Sequence, residues 1–183
     1  MPRAVKQKKT MRFSVLVLFL VSFVIRCVLH FALMNGPSIV IDEGLYTNIA
    51  RSLAWEGELA FRGQPVDYPY LLYSLTLVPL YWLNRLLGGD VYRYVQFFGT
   101  LVITSSVFPA YLFAKDFTQD QKKAKIAAVL VSLMPDMMMG GYEMAECLIW
   151  PLTIWMFVFA YRLYRDGGWK NALLTAFFSG LLF

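Results

Sequence analysis

The chain has 183 residues, of which 58% are hydrophobic, 17% aromatic and only 16% charged, with a net charge of +5. A soluble domain is about one quarter charged, so a water-soluble globule is excluded. So is disorder, because unfolded chains are poor in the Phe, Tyr and Trp that abound here.

Arg3, Lys6, Lys8, Lys9 and Arg12 precede a first apolar run over residues 13–34, long enough for a hydrocarbon core that takes roughly 20 helical residues. Asn35-Gly36-Pro37 offers no small-residue cleavage site, which points to an uncleaved anchor rather than a signal peptide. The next stretch, 35–93, reads as a large loop. Within it, Leu45, Tyr46, Ile49 and Leu53 mark one face of a helix beginning at or just after Asp42. A second apolar segment, 70–87, follows Pro69 and contains Pro79. Further spans are expected over 94–114, 126–143, 147–164 and 171–183. The last is still apolar at Phe183, as in a truncated chain. The predicted fold class is an all-α polytopic membrane protein with about five transmembrane helices, plus amphipathic or re-entrant helices in the large first loop.

Cytoplasmic loops carry the Lys and Arg excess, and this decides the threading. If every apolar run crossed, Lys115, Lys122, Lys123 and Lys125 would face outward, against the rule. If 70–87 stays at the outer interface or re-enters, twelve of the seventeen basic residues are cytoplasmic. Arg51, Arg62, Arg85 and Arg93 then lie outside, with Arg26 inside the first helix. The expected location is the plasma (inner) membrane, with a cytoplasmic N-terminus and an extracytoplasmic first loop. Eight of the twelve acidic residues fall on the outward side: Asp42, Glu43, Glu56, Glu58, Asp67, Asp90, Glu143 and Glu146. Carboxylates contribute little to topology, so their concentration calls for a separate reason.

Two readings of Asp42-Glu43 stand together. Asp42 suits a helix N-cap and Glu43 a first turn. Two adjacent carboxylates at the outer interface also suit a base that takes a proton from a hydroxyl nucleophile. Arg26 and His30, four apart, share a helix face and call for an interhelix partner such as Asp136, or for water. The Met cluster at 134, 137, 138, 139 and 144 suits adaptable packing or a lipid-tail groove. Tyr68, Tyr70, Tyr73, Tyr81 and Trp82 suit an interfacial aromatic belt. Cys27 and Cys147 sit in apolar stretches and form no disulfide framework or zinc pattern. The scattered basic residues form no stripe for nucleic acid.

An N-terminal anchor, then Asp42-Glu43-Gly44-Leu45-Tyr46 opening an outward helix, then Tyr68-Pro69 entering a Leu/Tyr-rich segment, resembles the start of the glycosyltransferase-C superfamily. These are lipid-linked-sugar glycosyltransferases, and the protein O-mannosyltransferase and aminoarabinose transferase types are the most similar in pattern. The basic loop Lys115–Lys125 and the later Tyr142-Glu143-Met144-Ala145-Glu146 before Trp150-Pro151 follow the same order. The resemblance implies transfer of a sugar from a polyprenyl- or dolichyl-phosphate donor to a protein, lipid or glycan acceptor at the extracytoplasmic face. It implies Asp42 as the catalytic residue, with Glu43, Tyr46 and Glu146 binding substrate and Tyr68 at the entry to the interfacial segment. The donor phosphate calls for positive charge, for which Arg51 is a candidate beside Arg62, Arg85 and Arg93. A divalent cation beside the donor phosphate is compatible with Asp42, Glu43 and Glu146. Tyr68-Pro69-Tyr70 departs from the family pattern of paired prolines or a preceding basic residue. Members of the family are also several times longer, so this chain alone is expected to be inactive. The alternative is a non-enzymatic multi-pass protein, a transporter fragment or an assembly subunit, in which Arg26, His30 and Asp136 form a polar intramembrane path.

Overall fold

The computed structural model describes residues 2–34, 41–67, 71–142 and 144–182; the side chains of 2–13, 41–43, 136, 137 and 139 lie outside the description. The described chain is mostly helical. Helix α1 (Pro2–Leu33) and helix α2 (Ile41–Trp55) come first. A two-stranded hairpin follows, β1 (Ala60–Phe61) against β2 (Gln64–Pro65), with Phe61 opposite Gln64. Arg62 and Gly63 both take positive φ, 52° and 77°, as a tight two-residue hairpin turn requires.

Helix α3 (Leu72–Leu87) ends at Gly88, and Asp90 caps helix α4 (Val91–Thr104) by accepting from the Tyr92 backbone N–H at 3.0 Å. Helix α5 (Val107–Thr118) continues α4 after a turn at Ser105 and Ser106. Pro109 explains that turn, since its ring would clash with the Ser105 carbonyl and it has no N–H to give. Asp120 caps helix α6 (Gln121–Ser132) through the Lys122 and Lys123 backbone N–H groups. A 3-10 helix (Pro135–Gly141), helix α7 (Glu146–Asp166) and helix α8 (Trp169–Leu181) complete the described chain.

Among the described residues, three helical stretches are long and apolar enough to cross a membrane: Ser14–Leu33, Val91–Thr118 and Glu146–Asp166. On α1, Leu16, Val17, Leu20, Val21, Val24, Ile25 and Val28 all stand exposed. Water would penalise such a surface, whereas hydrocarbon does not. The run expected as one span over 126–143 is divided instead. Helix α6 stops at Ser132, because Pro135 biases the residue before it away from helical backbone and cannot donate to the Val131 carbonyl. The segment expected over 171–183 is the thirteen-residue α8, and 70–87 holds the sixteen-residue α3.

The first two long helices run antiparallel. Met34 lies beside Arg93, His30 beside Thr100, Arg26 beside Thr104 and Phe19 beside Phe108. At the far end Val15 packs on Val107, Tyr111, Ala124 and Ala128. Helix α7 runs parallel to α5, with Phe113 beside Phe157 and the Arg162 Nε donating to Asp116 Oδ2 at 2.6 Å. The segments rich in Lys and Arg, 2–12, 115–125 and 162–170, therefore gather at one end of the bundle, and α2 and α3 pack near the other. Those two helices are parallel neighbours: Tyr46 meets Tyr73 edge-on at 5.2 Å, and the Trp82 indole N–H donates to the Ala54 carbonyl at 3.1 Å.

Candidate functional site

Helix α2 begins at Ile41, so Asp42 and Glu43 occupy its first turn rather than the position that caps it. Their carboxylates lie outside the described residues, as does Tyr68. One turn further on, Tyr46 lines a cavity of about 280 Å³ between the α2–α3 pair and α7, closed on one side by the end of α8. Its walls are mostly apolar, with Leu71, Leu72, Leu148, Ile149 and Leu152 beside Tyr46 and Tyr73. Ala145 also lines it, and the next residue, Glu146, stands exposed in the first turn of α7. Two segments singled out in the sequence, 42–46 and 142–146, thus approach one apolar cavity.

Arg51 is not part of that cavity. It lines a separate groove of about 260 Å³ with Thr47, Asn48, Trp55, Tyr81, Asn84 and Val91. Five residues turn a helix by roughly 140° beyond a full circle, so Tyr46 and Arg51 look different ways. Of the other arginines expected to face outward, Arg93 donates to the Met34 carbonyl at 3.0 Å and to Gln96 Oε1 at 2.9 Å, and stacks over Phe31. It ties the end of α1 to α4. Among the described residues, no three of His, Cys, Asp and Glu are grouped to hold a metal ion. Two of the three carboxylates expected to do so, Asp42 and Glu43, are outside that set.

A second polar feature lies inside the bundle. Arg26 and His30 are both buried. Arg26 Nη1 donates to Thr104 Oγ1 at 3.0 Å, and Nη2 donates to the Ser132 carbonyl at the C-terminus of α6. A cation suits that helix end, where carbonyls lack intrahelical partners. His30 Nδ1 lies 2.7 Å from Thr100 Oγ1. The Gln96 amide donates to the carbonyls of Met34 and Gly141 at 3.2 and 3.3 Å. Gln96, Thr100 and Thr104 recur every fourth residue, matching the Arg26–His30 spacing. This register was readable in the sequence and is what pairs α1 with α4. Among the described residues, no carboxylate lies within 4 Å of Arg26. The Asp136 side chain, its expected partner, is outside them.

The cluster is thus bonded to main chain and hydroxyls and pins three helices. Arg26→Leu leaves the Ser132 carbonyl without this donor in a low-dielectric setting. We expect a loss of about 2 kcal/mol in an unfolding titration of the micelle-bound protein, with the helix content of the folded state unchanged.

No protein family, curated protein or solved structure matches this chain.

Proposed function

We propose that this chain is the N-terminal part of a membrane glycosyltransferase that takes a sugar from a polyprenyl- or dolichyl-phosphate donor. The observation that carries the reading is the apolar cavity beside Tyr46, one turn from Asp42 and one residue from Glu146. A lipid-linked donor needs an apolar channel for its first prenyl units next to a polar rim where the sugar reacts; the apolar walls beside Tyr46 and Tyr73 support the first of these. In the reaction, the acceptor hydroxyl oxygen attacks the anomeric carbon and the bond from that carbon to the phosphate oxygen breaks. The hydroxyl proton passes to Asp42, and the electron pair leaves with the lipid phosphate. Phosphate is a good leaving group, so one base suffices.

In this reading the end carrying 2–12, 115–125 and 162–170 is cytoplasmic, following the charge rule, and the cavity opens near the extracytoplasmic face. The alternative is a polar transport path through Arg26, His30 and Asp136; against it, the Arg26 guanidinium and His30 Nδ1 are engaged in packing the helices.

Leu152→Trp places an indole where the cavity has an isobutyl group. A photoreactive polyprenyl-phosphate sugar should crosslink to the 145–152 segment of the wild-type protein and lose most of that crosslink in Leu152→Trp. Equal crosslinking in both, or crosslinking only to α1, would remove the donor from this cavity.

A further inference from the structure

The groove on the other side of α2 has its own chemistry. Arg51 and Arg85 are exposed, and among the described residues neither has a carboxylate within 4 Å. Arg51 Nη2 donates to Asn48 Oδ1 at 3.3 Å, and its guanidinium lies 5.8 Å from the centre of the Trp55 ring. Trp55, half exposed, is the wall shared by this groove and an adjoining one lined by Arg85. Tyr81 closes the floor, edge-on to Trp55 at 6.2 Å.

Two unpaired guanidiniums flanking an indole make a receptor for a phosphate group, since the planar fork of Arg matches phosphate oxygens and Trp favours the membrane–water boundary. The groove, at about 260 Å³, has room for a phosphate ester, given that a water occupies about 30 Å³. What tells a lipid phosphate from a free one is the surface next to Arg85. Leu75, Trp82, Leu83 and Leu86 form an exposed stripe along α3, with Leu86 81% exposed. Arg85 flanks that stripe by its helical position. Acyl chains can lie along the stripe while the phosphate sits against Trp55, where the two grooves meet. We infer that the adjoining Arg51 and Arg85 grooves, which share the Trp55 wall, hold the phosphate headgroup of an anionic membrane phospholipid and seat α2 and α3 at the bilayer surface. This inference is independent of the transferase reading.

Native mass spectrometry of the protein released from mixed micelles of phosphatidylglycerol and phosphatidylcholine tests it. The wild type should retain phosphatidylglycerol preferentially. R51Q/R85Q should weaken that retention about thirtyfold, the weight of two guanidiniums at a membrane surface, and R51K/R85K should keep part of it. Both arginines are exposed, so the double variant should fold, which circular dichroism checks; if it does not insert, R51Q and R85Q singly give the same reading with smaller losses. Retention unchanged in the Gln variants would overturn the inference. So would competition by millimolar inorganic phosphate, which would make the groove a site for the free anion, or equal retention of phosphatidylcholine.

Discussion

In the full-length protein that carries this chain as its N-terminal part, Asp42→Asn should stop the consumption of a radiolabelled polyprenyl-phosphate-linked sugar by membranes, while the amount inserted stays the same. Asparagine keeps the shape of the side chain and removes its basicity. Loss of a positioned general base costs on the order of 10²–10⁴ in rate, enough to put the variant at background. The change keeps the size of the side chain in the first turn of α2, so its effect on stability should be small. Glu43→Gln tests the same turn one residue on. If Asp42 were only a favourable first-turn charge, the two variants would behave alike, with both keeping activity and losing a few tenths of a kcal/mol in stability.

Gly140→Val should be the most damaging single change to the fold. A Cβ at Gly140 would lie 2.7 Å from Ile103 Cγ2 and 2.9 Å from Thr100 Cα, and a Cβ at Gly99 would lie 2.7 Å from the Gly140 carbonyl oxygen. The obstructing atoms are largely main chain, so α4 and the 3-10 segment must separate. That would strain the hydrogen bonds from Gln96 to Gly141 and Met34 and the seat of His30. Overpacking of this kind costs about 3 kcal/mol, to be read from the detergent concentration at half-unfolding. Gly180→Ala is the control, because its added Cβ meets nothing within 4 Å.

How much of this was readable beforehand depended on the range of the interaction. The three long apolar helices follow from run length alone, since a span is a local property. The α2 helix followed from the spacing of Leu45, Tyr46, Ile49 and Leu53, and Ile49 and Ala50 are indeed fully buried. The division of 126–143 was signalled by Pro135 and by Gly140-Gly141, but hydropathy read as a running average does not register a single missing N–H. The Gly99–Gly140 contact joins residues 41 apart. Only the packing of the 3-10 helix on α4 reveals why both must be small.

At the site, Arg51 was grouped with Tyr46 on charge and side of the membrane, and helical geometry then sent it to a different groove. Proximity in sequence is no guide to facing when the separation is five residues. The apolar wall contributed by Leu148, Ile149 and Leu152 was missed because a leucine-rich helix looks the same whether it faces lipid, another helix or a cavity. Asp42, Glu43 and Tyr68 were chosen on a motif, and their side chains lie outside the described residues.

The central claim is that a lipid-phosphate sugar is the donor. It is tested by giving the full-length protein that carries this chain as its N-terminal part, in proteoliposomes with an extract of extracytoplasmic acceptors, a radiolabelled polyprenyl-phosphate sugar. Label should appear in a water-soluble, protein or glycolipid product together with stoichiometric free polyprenyl phosphate. Intact donor after prolonged incubation, across mannose-, glucose- and aminoarabinose-bearing lipids, would contradict it.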